Sequence, residues 1–306
     1  MTSAMEDLLV RHVEAGTVPG AIGLLGGADP EVVAVGTASV DGPPLTDDAV
    51  VRIQSMTKAV TAVATLRLVE AGRLGLDDSV EPWLPELAHR RVLVRTDADV
   101  DQTVPAVRAI TVRHLLLNGS GYGMALDGSP LTRAMAANGT EAGPQPSPLG
   151  ADAWLARLAE LPLTFQPGEG WRYHHSYAVL GILLARLTGR PLGEHLAEDL
   201  LAPLGMVDTG LWVPEADLDR LPAAYRWDDG LVETEPAGGG PYAGRPAVDV
   251  SHGELVSTAR DYHRFLRALT ADEAPTGGPL VSAGHRALMT TDQVPAGHKT
   301  PESFFP

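Results

Sequence analysis

The sequence contains no cysteine. That absence removes disulfide frameworks, thiolate nucleophiles and cysteine-ligated metals together. Basic residues are also scarce: 23 Lys plus Arg stand against 39 Asp plus Glu, a formal net charge of -16, with no local basic cluster to offset it. Such a surface repels phosphate backbones and anionic headgroups, so neither nucleic acid nor membrane is an expected partner. No apolar run reaches the roughly 18 residues that a membrane-spanning helix requires. The first residues, Met1-Thr2-Ser3-Ala4-Met5-Glu6-Asp7, lack the basic and apolar regions of a secretory signal, which makes a cytoplasmic location the expectation.

What is present suits a folded domain. Apolar residues make up 44% and charged residues 20% of 306, a balance that supports a substantial core in one large domain or two interleaved ones. Residues 7 to 15 carry helical spacing (Leu8, Leu9, Val13) and end near Gly16. The runs Gly20 to Leu25 and Glu31 to Gly36, separated by Gly26-Gly27-Ala28-Asp29-Pro30, predict an antiparallel hairpin. Ala49 to Gln54 is β-branched and predicts a third strand, followed by a helix that is apolar nearly all round and stops at Gly72. Further helices are predicted over 110 to 117 with Thr111 as cap, 151 to 161, 177 to 187 and 261 to 269. A polar stretch from Thr96 to Thr103 predicts a surface loop, residues 127 to 150 a long loop with the character of a lid, and residues 236 to 246 a Gly/Pro loop. No internal repeat is visible. Strands first and helices after define an α+β fold.

The junction of the third strand and its helix reads Gln54-Ser55-Met56-Thr57-Lys58. Ser55 and Lys58 are three apart, so both project from one face of the first helical turn. Burial disfavours an ammonium and lowers the lysine pKa, which makes an amine able to take a proton from a neighbouring serine. The same four residues also fit a serine capping the helix and a lysine reaching to water. At the level of the motif alone both readings stand. Gly119-Ser120-Gly121 lacks the first glycine of a nucleophile elbow and follows a helix, so it reads as a loop. His174-His175 has no third ligand at useful spacing, and neither metal nor cofactor is expected.

Five ordered blocks carry a resemblance: VRIQSMTKAVTAVATLRLVEAGRLGLDD, ITVRHLLLNGSGYG, FQPGEGWRYHHSYAVLGILLARLTGRPL, LLAPLGMVDTGLW and LVSTARDYHRFLRAL. In this order they resemble the serine β-lactamase-like superfamily, in its branch of class C β-lactamases, D-alanyl-D-alanine carboxypeptidases and related esterases. The resemblance implies an antiparallel sheet flanked by helices with a mainly helical subdomain. It implies Ser55 as nucleophile, Lys58 as the group that assists its deprotonation, and Tyr173 as a residue sharing that proton. Gln54, Tyr122 and His175, which lie in the same blocks, become the candidate substrate-binding residues, with His175 where the family often has asparagine.

The family's third motif is not met in the same way. Lys299-Thr300-Pro301 places proline where glycine is usual, and the expectation is a chain that stops before the remaining strands of the sheet, leaving a sheet edge open for self-association. On that expectation residues 1–306 form one incomplete domain: 1–70 the sheet part and nucleophile helix, 71–290 the mainly helical part, 291–306 a Gly/Pro-rich tail. Two functions follow from the resemblance. One is a serine hydrolase forming an acyl-enzyme on a small ester or amide, with esters favoured over β-lactams because no export signal is seen. The other is a non-catalytic, truncated relative that binds without turnover.

Overall fold

The computed structural model describes residues 3–124, 128–144, 146–247, 254–271, 274–275, 277–300 and 303. The chain begins α1 (Ala4–Glu14), β1 (Gly20–Leu25), β2 (Glu31–Gly36), β3 (Val51–Arg52), α2 (Thr57–Glu70), β4 (Arg91–Leu93), β5 (Thr103–Pro105) and α3 (Val112–Leu116). It continues α4 (Pro130–Asn138), α5 (Ala151–Ala159), α6 (His175–Thr188), α7 (Leu192–Leu196), β6 (Ala224–Trp227), β7 (Leu231–Glu235), β8 (Val256–Ser257), α8 (Ala259–Thr270) and α9 (Ala283–Thr290). The fold is α+β, and among the described residues its strands pair as two-stranded antiparallel ladders, with isolated bridges beside them, one of which, Val92 with Leu163, is parallel. Two compact units share the chain. The first takes Met1–Ile53, Leu200–Pro246 and Leu255–Pro279, and the second Gln54–Asp199, Ala247–Glu254 and Leu280–Pro306.

In the first unit the hairpin has the register that its glycines suggest, Gly20 opposite Gly36 and Leu25 opposite Glu31. Helix α1 lies close over it. A Cβ on Gly23 would come within 2.8 Å of the Met5 sulfur and 3.0 Å of Leu9, so the strand needs glycine there for the helix to approach. The run 49–54 is less of a strand than its residue types predict. Only Val51 and Arg52 form a ladder, and their partner is β8 rather than the hairpin. On either side the backbone bonds elsewhere, with Val50 N–H donating to Arg220 O at 2.8 Å and Ile53 N–H to Leu255 O at 3.0 Å. Arg52 is held beneath by the Glu235 carboxylate at 2.7 Å and by the carbonyls of Pro222 and Gly239.

The second unit is built on α2 and α6, each of which buries most of its length. Apolar patterning predicts this for α2, yet three of its buried residues are Thr57, Thr61 and Thr65. Their stripe is tolerated because Thr61 Oγ1 donates to Thr57 O at 3.2 Å and Thr65 Oγ1 to Thr61 O at 2.8 Å, so no hydroxyl is stranded in the core. Thr111 caps α3 through a reciprocal pair with His114. The stretch 96–103 is the turn between β4 and β5, which pair antiparallel. Residues 127 to 150 are not one loop: Ser129 caps α4 and Pro130 opens it, a start signal that the surrounding glycines obscure. Residues 127 and 145 of that stretch lie outside the described residues.

Candidate active site

After Ile53 the chain leaves β-structure at Gln54, whose φ of 46° is left-handed. A 3-10 turn over Gln54–Met56 then feeds α2, whose N-cap is Met56 with no side-chain cap. Ser55 is therefore not spent on capping the helix. It is exposed, at the positive end of the α2 dipole. Lys58, one turn on, does not reach to water: it is 8% exposed and its Nζ donates to Ser55 Oγ at 3.2 Å. The motif's two structural alternatives are both absent here.

The surroundings of Lys58 set its proton affinity. Burial pulls the amine below its ordinary value, while the Tyr173 hydroxyl and the Glu254 carboxylate act in the opposite direction. Burial wins because few compensating charges reach so enclosed a site. The Nζ lies 4.6 Å from the Tyr173 ring centroid and 5.9 Å from that of Tyr177. Tyr177 donates its hydroxyl to Leu116 O at 3.1 Å, and burial pushes its pKa up to about 12, so it stays a neutral wall. Tyr173 is the phenol on the open side. Its ring stacks on Trp171 at 5.9 Å, its carbonyl accepts from Met124 N–H at 2.8 Å, and Arg172 N–H donates to Asn118 O at 2.9 Å.

Left-handed backbone concentrates at this place. Gln54 precedes Ser55, His174 follows Tyr173 with φ 97°, and Asn118, with φ 54°, accepts from the strand of chain that carries Tyr173. Non-glycine residues in that region cost about 1 to 3 kcal/mol each and persist where surrounding contacts impose them. Two of the three thus fix the backbone directly beside the serine and the tyrosine.

The structure brings Ser55, Lys58 and Tyr173 together and sets two other candidates apart. His175 is 1% exposed, its Nε2 2.7 Å from Thr140 O and its ring stacked on Trp154 at 6.0 Å. As the first residue of α6 it turns into the core, so it presents no surface to a substrate. Tyr122 is fully buried as well, in the same core as α2 and α6, and burial pushes its pKa up to about 12. Gln54 is half-buried beside Ser55, with its Nε2 3.4 Å from Pro144 O. Ser120, in the Gly-Ser-Gly loop, is buried and bonded to Ser176 Oγ at 2.8 Å, which ties that loop to the first turn of α6. Glu254 and Asn118 escape the sequence reading. One signal was available for Lys58: it is one of two lysines in a chain otherwise rich in arginine, and a buried lysine, unlike an arginine, can give up its proton. Among the described residues no three His, Asp or Glu side chains group as metal ligands, and no helix is long and apolar enough to cross a membrane.

An S-x-x-K turn at the start of a buried helix, faced by a tyrosine, is the arrangement of serine-active β-lactamase-type proteins. The beta-lactamase family model matches residues 5–303, and the chain belongs to that family. Protein Rv1367c of Mycobacterium tuberculosis is 36% identical over 291 residues, spanning 93% of this chain and 71% of that protein. Esterase EstB of Burkholderia gladioli is 33% identical over 276 residues, spanning 85% of this chain and 65% of its own length. Among solved structures, EstCE1, described as a hydrolase with promiscuous acyltransferase activity, superposes with a TM-score of 0.76 at 23% identity, covering 92% of this chain and 74% of that one. That likeness is one of fold.

Proposed function

We propose that the chain is a serine hydrolase that cleaves small esters through an acyl-enzyme on Ser55. The observation that carries the reading is the 3.2 Å contact between Ser55 Oγ and the amine of a lysine that is 8% exposed. Lys58, its proton affinity lowered by burial, takes the serine proton as Oγ attacks the ester carbon. The resulting ammonium is stabilised by the same Tyr173 hydroxyl and Glu254 charge that raise its pKa. Tyr173 shares the proton and passes it to the leaving oxygen. The Ser55 N–H, at the start of α2, donates to the oxyanion. Water then attacks the acyl-enzyme by the reverse route.

An ester is favoured over a β-lactam because the named relative with matching sequence, EstB, is an esterase. A fluorophosphonate probe tests the nucleophile: wild type labels, and Ser55→Ala and Lys58→Ala do not. Equal labelling of Ser55→Ala would remove Ser55 from its role. Aryl acetates set against a chromogenic cephalosporin test the substrate class, and preferential turnover of the cephalosporin would overturn the ester preference.

A further inference from the structure

Glu254 is a carboxylate enclosed beside the nucleophile turn, only 1% exposed. The ladder of β3 and β8 pairs Val51 with Ser257 and Arg52 with Val256, and the donation of Ile53 N–H to Leu255 O at 3.0 Å extends that register. One residue further on, the same register sets Glu254 alongside Gln54, which directly precedes Ser55. Glu254 and Lys58 belong to the same compact unit, and the Glu254 charge acts on the Lys58 amine. Carboxylates are rarely buried away from solvent, and those at a nucleophile alter what can bind there.

The charges acting on the amine come from Tyr173 and Glu254, and both favour the ammonium, the effect of a negative potential. No guanidinium is among them. Arg113 and Asp292 line the same cavity as Lys58, but each is paired elsewhere, Arg113 with Asp77 at 2.7 Å and Asp292 with Lys299. Attack by Ser55 requires a neutral amine, and in that state Lys58 no longer offsets the Glu254 charge. A substrate carboxylate arriving then meets a like charge in an enclosed site, where the repulsion is stronger than in water. It also favours the ammonium form of Lys58 and so removes the base. The partial positive charge at the start of α2 gives no relief, because the oxyanion takes it. We propose that Glu254 is a specificity-determining residue that selects against esters with a carboxylate near the scissile bond, so that the substrates are uncharged esters. A peptide C-terminus and a cephalosporin both carry the disfavoured group.

This inference rests on the serine-hydrolase reading and is tested apart from it. Mono-p-nitrophenyl glutarate and its methyl ester share one acyl chain and differ by a single charge at neutral pH. Wild type turns over the methyl ester with kcat/KM about tenfold above the free acid, the order of effect of a like charge about 10 Å away at an effective dielectric of about 20. The preference persists in about 0.5 M salt, which screens the surface charge of -16 but not a buried carboxylate. Glu254→Gln slows both esters, since the ammonium loses a partner, and brings their ratio close to one, whereas Glu254→Asp keeps the preference. Glu254→Ser serves if Glu254→Gln does not fold by circular dichroism. Equal turnover of the two esters by wild type, a preference that salt abolishes, or one that survives in the folded uncharged variant overturns the proposal. A wild type that neither labels with fluorophosphonate nor turns over any ester removes the hydrolase reading itself, and the inference with it.

Discussion

Replacing Lys58 with methionine keeps a long apolar stem in the core while deleting the amine, which separates packing from proton transfer. Removing a positioned general base costs about 10² to 10⁴ in rate, or about 3 to 5 kcal/mol of transition-state stabilisation. The same change is expected to stabilise the fold. Burial lowers the Lys58 pKa from its ordinary 10.5, so between that lowered value and 10.5 the unfolded chain binds more protons than the folded one. Wild-type stability therefore rises with pH across that window, and the penalty is fully present below it. Lys58→Met carries no such term, so its stability gain is largest below the window and shrinks towards pH 10.5. Turnover of p-nitrophenyl acetate and thermal melts across pH 6 to 10 read both effects. Lys58→Arg sharpens the test, because a guanidinium cannot deprotonate in this range and the pH-dependent limb of the rate should vanish. Loss of less than tenfold in Lys58→Met, with an unchanged pH limb in Lys58→Arg, would refute Lys58 as the base.

Other substitutions probe the surrounding structure. Tyr173→Phe keeps the stack on Trp171 but removes a group that raises the Lys58 pKa, so the rate falls by about 10² and the limb governed by Lys58 moves to lower pH; a pH–rate profile reads both. Arg52→Leu leaves Glu235 as a buried, uncompensated carboxylate, with an expected loss of about 3 to 5 kcal/mol in denaturant melts. Thr111→Ala deletes the α3 cap and should cost about 0.5 to 2 kcal/mol by the same measurement, with kcat unchanged.

Local chemistry made much of this fold legible. The hairpin registers through its glycines, Thr111 announces α3, and the all-round apolar run of α2 predicts its burial. Long-range pairing was not legible, because β3 pairs with β8 and Val50 just before it bonds to Arg220, which the sequence around residue 50 cannot indicate. The start of α4 was hidden by composition, since Gly and Pro nearby read as loop although Ser129-Pro130 is a start signal. At the site, Ser55 and Lys58 could be found because their spacing is a property of one helical turn. His175 could not be placed by spacing, as its position at the first residue of α6 leaves open whether the ring faces the serine or the core, and Trp154 and Thr140 decide that. Glu254 reaches Lys58 from nearly two hundred residues away in the chain, a distance over which no motif extends.

The most direct measurement is intact and peptide-level mass spectrometry after a brief incubation of wild type with an activated ester or a fluorophosphonate. A single adduct on the peptide carrying Ser55, absent from Ser55→Ala and strongly slowed in Lys58→Met, is the predicted result. An adduct on another residue, or one that persists in Ser55→Ala, would contradict the account.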